Sequence, residues 1–208
     1  KKTKKAKEEI EEESSEESMM TLADLIQART EDIPESRSIM FVGEVTEEKA
    51  AEFISALLVL AQTKDEEDER AEDIKIYVNT YGGSADEMFA IFDIMEHCKK
   101  SCHIETVGLG KVMSAGTLLL AAGTKGKRKI TKNCRVMLHQ VSAGTFGPLF
   151  NMTTEIDAIQ SLQEQYINAM VSCTNLSKRK LKSLLNERVN VYLTAEEAVE
   201  YGLADEII

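Results

Sequence analysis

Between residues 38 and 122 short apolar runs alternate with helical patterns, and this alternation constrains the fold more than any other feature of the chain. Residues 38–42, 74–78 and 104–107 are strand-like: brief, rich in large or β-branched apolar side chains, and too short for a helix. Each is followed by a glycine-bearing turn and then by apolar residues at helical spacing. After the first come Ala50, Phe53, Ile54, Leu57, Leu58 and Leu60, introduced by Thr46 as an N-cap with Glu47 and Glu48 in the first turn. After the second come Met88, Phe89, Ile91, Phe92 and Met95, and after the third residues 115–122 read as a buried helix. Strands that alternate with helices in this way lie side by side with helical crossovers, so the expectation is an α/β fold with a largely parallel sheet.

The rest of the chain continues the pattern less regularly. Residues 128–130 and 135–138 read as short strands around a turn at Lys132 and Asn133, and His139 ends the second. Residues 141–148 form a loop of small residues. Residues 151–173 form one long helical pattern, with Ile156, Ile159, Leu162, Tyr166, Ile167 and Met170 mostly at i, i+3, i+4 steps. A helix over 177–185 and a strand over 191–193 follow. Thr194 then caps a last helix over 195–201, closed by Gly202. At the other end, residues 1–18 are almost all Lys, Glu and Ser. They cannot bury enough apolar surface to offset ordering entropy, so a disordered charged tail is expected. Residues 19–35 are a short segment with one amphipathic helix over 20–28, and 64–73 reads as a solvated loop. That leaves 36–208 as the folded domain.

Composition bounds the function. A chain of 208 residues with 43% apolar and 29% charged residues is a globular domain. Its formal net charge of −11, with no basic block to offset it, excludes nucleic acid and anionic membrane as main partners. Cys98, Cys102, Cys134 and Cys173 fit free thiols in a reducing compartment better than a disulfide scaffold. No long uncharged apolar run and no signal-peptide core is present, so a cytoplasmic location is expected. His97, Cys98, Cys102 and His103 supply metal-ligand chemistry, but their spacing matches no zinc motif; no metal or cofactor is expected.

The stretch 108–123 holds the first candidate for chemistry. Glycines at 108 and 110 and an apolar helix from 115 flank a single hydroxyl, Ser114. A serine at a strand-to-helix turn can present its Oγ to a cleft, with unpaired N–H groups at the helix start facing a developing anion. The same pattern also fits a tight turn with a helix cap. A serine nucleophile needs a base, and His139 sits at a strand end, where sites of α/β sheets form. A hydrogen-bonded structural histidine is the competing reading. Gly82-Gly83, after the strand at 74–78, would let backbone approach a ligand and offer N–H donors, or would be an ordinary turn.

Taken in order, these pieces resemble the proteolytic subunit of the Clp protease, the ClpP family. The resemblance runs from about Ser36 to Ile208. Tyr77-Val78-Asn79-Thr80-Tyr81-Gly82-Gly83-Ser84 is similar to the family's strand and glycine turn, and residues 110–116 to its nucleophile turn. Leu120-Ala-Ala-Gly-Thr-Lys-Gly-Lys-Arg128, Arg135-Val-Met-Leu-His-Gln140 and Leu193-Thr-Ala-Glu-Glu-Ala-Val-Glu-Tyr-Gly202 are also close to family motifs. The resemblance implies a crotonase-like α/β fold of repeated β-β-α units with a projecting handle helix over about 150–173. It implies rings stacked face to face as a tetradecamer around a chamber, and hydrolysis of peptide bonds in unfolded polypeptides. Ser114 would be the nucleophile and His139 the base. Backbone N–H groups of Gly83 and Ala115 would form the oxyanion hole.

The sequence departs from the family at informative places. Asn190 stands where the family has the aspartate that completes the triad. Its amide oxygen can orient an imidazole but carries no charge to stabilise an imidazolium, so slow or conditional hydrolysis is expected. Tyr81 replaces a proline in the glycine turn. Residues 19–34 lack the family's axial hairpin, which counts against docking of an AAA+ unfoldase, and the loop at 64–70 is longer and more acidic than usual. The rival readings are a weakly catalytic ring subunit that assembles with active ClpP, and an acyl-CoA enzyme of the wider crotonase fold.

Overall fold

The computed structural model describes residues 36–62, 71–187 and 190–208. The expected tail at 1–18, the segment at 19–35 with its helix, and the acidic stretch at 64–70 lie outside the described residues.

The expected alternation is present. Strand β1 (Ser38–Val42) leads to helix α1 (Glu47–Gln62), β2 (Ile74–Thr80) to α2 (Ala85–Cys98), and β3 (Ile104–Met113) to α3 (Ala115–Ala121). Then follow β4 (Arg128–Ile130), β5 (Arg135–Leu138), α4 (Leu149–Cys173), α5 (Lys178–Glu187), β6 (Val191–Leu193), α6 (Ala195–Glu200) and β7 (Glu206–Ile207). The strands form one sheet in the order β1-β2-β3-β4-β7, with β5 paired to β3 and β6 paired to β5. Every pairing is parallel except β5 with β6. Capping chemistry accounts for the helix starts. The Ser84 side chain accepts from the Glu87 N–H, and Thr194 with Glu197 forms a reciprocal capping box. The Thr46 hydroxyl accepts from Lys49 N–H at 3.4 Å.

β3 differs from the sequence reading. The strand does not stop at Val107 but runs on through Gly108 and Gly110 to Met113. Val78 pairs with Gly108, whereas Thr80 pairs with Val112, so β3 carries extra chain at that point. Gly110, at φ +60°, absorbs the bulge in a conformation other residues disfavour. The bulge divides the strand. Its first half pairs with β4 (Thr106 with Arg128) and its second half with β5 (Lys111 with Arg135). β4 and β5, on either side of the expected turn at Lys132 and Asn133, both run parallel to β3, one after the other.

The core lies between the sheet and its helices. Ile74, Ile76, Val78, Ile104 and Val112 from the strands are buried with Leu57, Ile91, Met95, Leu118 and Leu120 from the helices. At about 25 cal/mol per Å² of apolar surface, each such side chain contributes about 2 kcal/mol. On α1 and α2 the fully buried set is narrower than the expected stripe, since Ile54, Leu58, Phe89 and Phe92 are only partly covered. α4 is split along its length. Tyr166, Ile167, Met170 and Cys173 are buried, but none of its residues before Tyr166 is, and Leu149, Phe150 and Ile156 are exposed. Its C-terminal part belongs to the core and its N-terminal part stands clear of it, as expected for a projecting handle.

Arg128 ties several elements together. It is 3% exposed, and its guanidinium donates to the Cys173 carbonyl at the end of α4 (2.6 Å) and to both carboxylate oxygens of Asp205. Burial pushes the Asp205 carboxyl upward, but hydrogen bonds from Arg128 outweigh it and hold the group below its ordinary range.

Candidate active site

The parallel register decides what meets at one edge of the sheet. β2, β3 and β5 are neighbours running the same way, so their C-terminal ends lie together. Gly82 and Gly83 follow β2, Ser114 follows β3 directly, and His139 follows β5 directly. The imidazole Nε2 of His139 lies 2.7 Å from Ser114 Oγ, a hydrogen bond between residues from separate strands. Both side chains are half-buried.

Ser114 is held in a strained backbone conformation. Among the described residues it is the only one other than glycine with positive φ (φ 54°, ψ −123°). Such a geometry costs about 1–3 kcal/mol and persists only where the surroundings over-determine it. Here its N–H donates to Met137 O at 2.8 Å, and its carbonyl accepts from Thr117 N–H at 3.0 Å and from Thr117 Oγ1 at 2.6 Å. Its side chain makes no helix-capping bond, so the hydroxyl is left for His139. The cap reading of Ser114 is therefore set aside.

The glycine turn is shaped by contact with that serine. A Cβ at Gly82 would stand 2.5 Å from Ser114 Cβ, and one at Gly83 would collide with the Val45 backbone. Their φ angles, +101° and +153°, exclude other residues independently. Thr80 Oγ1 braces the turn by accepting from Gly82 N–H at 2.9 Å. Val45 N–H donates to Gly82 O and Ser84 N–H to Val45 O, a parallel bridge centred on Gly83. In such a bridge the central residue's own N–H and C=O point away from its partner. Those of Gly83 thus face away from Val45, and Gly83 lines the cleft with Ser114 and His139. Ala115 lines it too, and as the first residue of α3 its N–H precedes any intrahelical acceptor.

The cleft has a volume of about 380 Å³. Tyr81, Ala85, Met88 and Tyr166 form its apolar walls, and Gln140, Val141 and Ser142 close it beyond His139. Tyr81 is exposed at the mouth, with Lys111 Nζ 4.6 Å from its ring centroid. Burial raises the Tyr166 hydroxyl to about 12, against the lowering effect of its hydrogen bond with Thr117. Met88 and Tyr166 were read from the sequence only as helix stripes, and Thr117 was not singled out. Spacing along one helix says which residues are buried, not what they are buried against.

Asn190 is not drawn into this arrangement. It is exposed and shares with His139 a second cavity, of about 510 Å³, lined also by Met137, Leu185 and Asn186. Among the described residues no hydrogen bond joins Asn190 to His139, whose imidazole bond is the one between Nε2 and Ser114 Oγ. Gln140 beside it is held instead by Leu185 O and Asn186 Oδ1. Among the described residues no cluster of His, Cys, Asp and Glu could hold a metal ion, and the pair around Cys98 and Cys102 gathers none. No helix among them is long and apolar enough to cross a membrane.

A serine hydroxyl bonded to an imidazole at the strand ends of a mostly parallel α/β sheet, beside backbone amides, defines a site of the serine-hydrolase class. Comparison with known proteins narrows the class. The Clp protease family model matches residues 26–208. The chain is 37% identical over 174 residues to the ATP-dependent Clp protease proteolytic subunit 1 of Prochlorococcus marinus subsp. pastoris, covering 82% of this chain and 83% of that one. It is 36% identical over 171 residues, with the same coverage of each, to the protein of the same name from another strain of Prochlorococcus marinus. The chain belongs to the Clp protease family.

Proposed function

We propose that this chain is a peptidase subunit of a barrel-shaped, ATP-dependent proteolytic complex, hydrolysing peptide bonds of unfolded polypeptides. The single observation that carries the reading is the 2.7 Å contact between His139 Nε2 and Ser114 Oγ at a strained strand-to-helix turn. Ser114 Oγ attacks the substrate carbonyl carbon while His139 takes its proton. The oxyanion of the tetrahedral intermediate is met by the N–H groups of Gly83 and Ala115, each worth about 3 kcal/mol in such sites. His139 then gives the proton to the leaving amine, the C–N bond breaks and an acyl-enzyme remains. Water, deprotonated by His139, releases the acid and restores Ser114. Extended substrate lies along the Gly83 segment, whose outward C=O offers strand-like pairing while its N–H meets the oxyanion.

The subunits assemble as stacked rings, with the exposed N-terminal half of α4 as the contact between rings. An AAA+ unfoldase would deliver substrate. The test is cleavage of a short fluorogenic peptide with labelling by a serine-reactive phosphonate. Both activities should be present in the assembled protein and absent from Ser114→Ala. Failure of both in wild type would refute the reading.

The second reading, a weakly catalytic subunit working in mixed rings with active ClpP, is favoured by the separation of Asn190 from the imidazole. In trypsin-like triads, replacing the aspartate by asparagine costs about 10⁴ in kcat. Assaying the chain alone and mixed with an active partner ring separates the two: hydrolysis that appears only in the mixture, and survives Ser114→Ala, belongs to the partner.

A further inference from the structure

The strained serine is supported by a hydrogen-bond chain that reaches into α4. Ser114 O is a carbonyl and can only accept, so the Thr117 hydroxyl, 2.6 Å away, must donate to it. That donation uses the only proton Thr117 Oγ1 has. The Tyr166 hydroxyl lies 2.9 Å from the same oxygen, so Tyr166 must be the donor there. The direction of both bonds is thereby fixed: Tyr166 O–H to Thr117 Oγ1, Thr117 O–H to Ser114 O. Thr117 is fully buried and Tyr166 is 4% exposed, so water does not replace either bond. Burial also keeps the phenol protonated, as the donor role requires. The two residues are 49 positions apart, on α3 and α4.

We propose that Tyr166 and Thr117 act as a positioning relay, fixing the carbonyl of Ser114 so that its Oγ stays aligned with His139. This rests on the reading of Ser114 as nucleophile. The geometry explains why the chain spends a hydroxyl pair on a buried interface where two apolar side chains would pack at lower risk. The Thr117 bond acts on the peptide plane that follows Ser114, and the Tyr166 bond fixes the hydroxyl that makes it. That plane sets ψ of the serine and presents the N–H of Ala115. Losing either bond leaves the Ser114 carbonyl to the Thr117 N–H alone and loosens the plane, which shifts the nucleophile and one oxyanion donor together.

The test uses the full chain in its assembled state, with Tyr166→Phe, Thr117→Val, the double variant and Thr117→Ser. Tyr166→Phe and Thr117→Val keep the shape of the interface and remove one hydroxyl each. Each should lower kcat for a fluorogenic peptide, and the rate of phosphonate labelling at Ser114, about tenfold. KM should change less than about twofold, because the cleft wall keeps its ring. The links are in series, so the double variant should be no slower than the slower single one. Thr117→Ser restores the donor and should recover most of the lost rate. Should Tyr166→Phe prevent assembly, Thr117→Val and Thr117→Ser carry the same comparison.

Wild-type kcat and labelling in Tyr166→Phe or Thr117→Val would overturn the relay while leaving the nucleophile in place. So would losses that multiply in the double variant, or a fall in melting temperature with kcat unchanged. A wild-type protein that neither cleaves nor labels would overturn the nucleophile reading and the relay with it.

Discussion

The two sides of the His139 ring are built differently. On the Nε2 side the serine is strained, pinned at both its backbone N–H and C=O, and 2.7 Å from the imidazole. The ring also lines a second cavity, where Asn190 is exposed and no hydrogen bond joins the two among the described residues. The difference teaches that Ser114 and Asn190 are placed by independent parts of the fold. Ser114 is fixed by β3, β5 and α3, which belong to the buried sheet core. Asn190 precedes the short strand β6, which pairs only with β5 at the sheet margin.

Experiments can break this contrast or sharpen it. The largest effect is expected for Ser114→Ala, which should reduce peptide hydrolysis by about 10³ or more and abolish phosphonate labelling. Retained turnover would move the chemistry to another residue. Gly83→Ala comes next. Its Cβ would strike the Val45 backbone and tilt an oxyanion donor, so kcat should fall about 10²-fold while serine labelling, which needs no full peptide, falls less. Equal loss in both assays would mean that the turn has collapsed onto Ser114.

Asn190→Asp tests the other side. A carboxylate there can orient the imidazole and stabilise its charged form, so kcat should rise about tenfold. No gain in a properly assembled ring would count against residue 190 acting on His139.

The smallest effect concerns the scaffold behind the built side. Asp205 holds Arg128, which in turn holds the ends of α3 and α4. The Asp205 carboxyl is depressed in the folded state, so the pair contributes stability that is fully present above the unfolded value near pH 4 and is lost as pH falls through the folded value. Asp205→Asn should cost about 1 kcal/mol at neutral pH, because the carboxylate is partly exposed and the amide keeps part of the hydrogen bonding, and should flatten the loss of melting temperature in acid. An acid profile unchanged from wild type would assign that loss to other carboxylates.

Much of the fold was legible because its signals are local. The strands at 38–42 and 74–78, the helix led by Thr46, the helix carrying Met88 to Met95, and the cap at Thr194 each follow from spacing and from one or two polar residues. Ser114 and His139 were legible for a related reason: each stands next to a strand end beside small residues. What was missed is non-local. The extension of β3 past Gly108 depends on a bulge that only pairing with β2 reveals. β7 has two residues, too few for any periodicity, and exists because it pairs with β4, with Asp205 anchored beside it by Arg128. Thr117 and Tyr166 look like ordinary helix residues until two helices bring their hydroxyls together.

By itself, then, the amino-acid order determined the alternation of strands and helices, the family, and which side chains were equipped for acyl transfer, because each of these is written within a few residues of chain. Only the tertiary structure decided which of those side chains touch. That outcome depends on parallel register, which brings the ends of β2, β3 and β5 to one edge and leaves Asn190 beyond hydrogen-bonding contact with the imidazole. A contact distance is set by the packing of distant segments, and no local pattern encodes it.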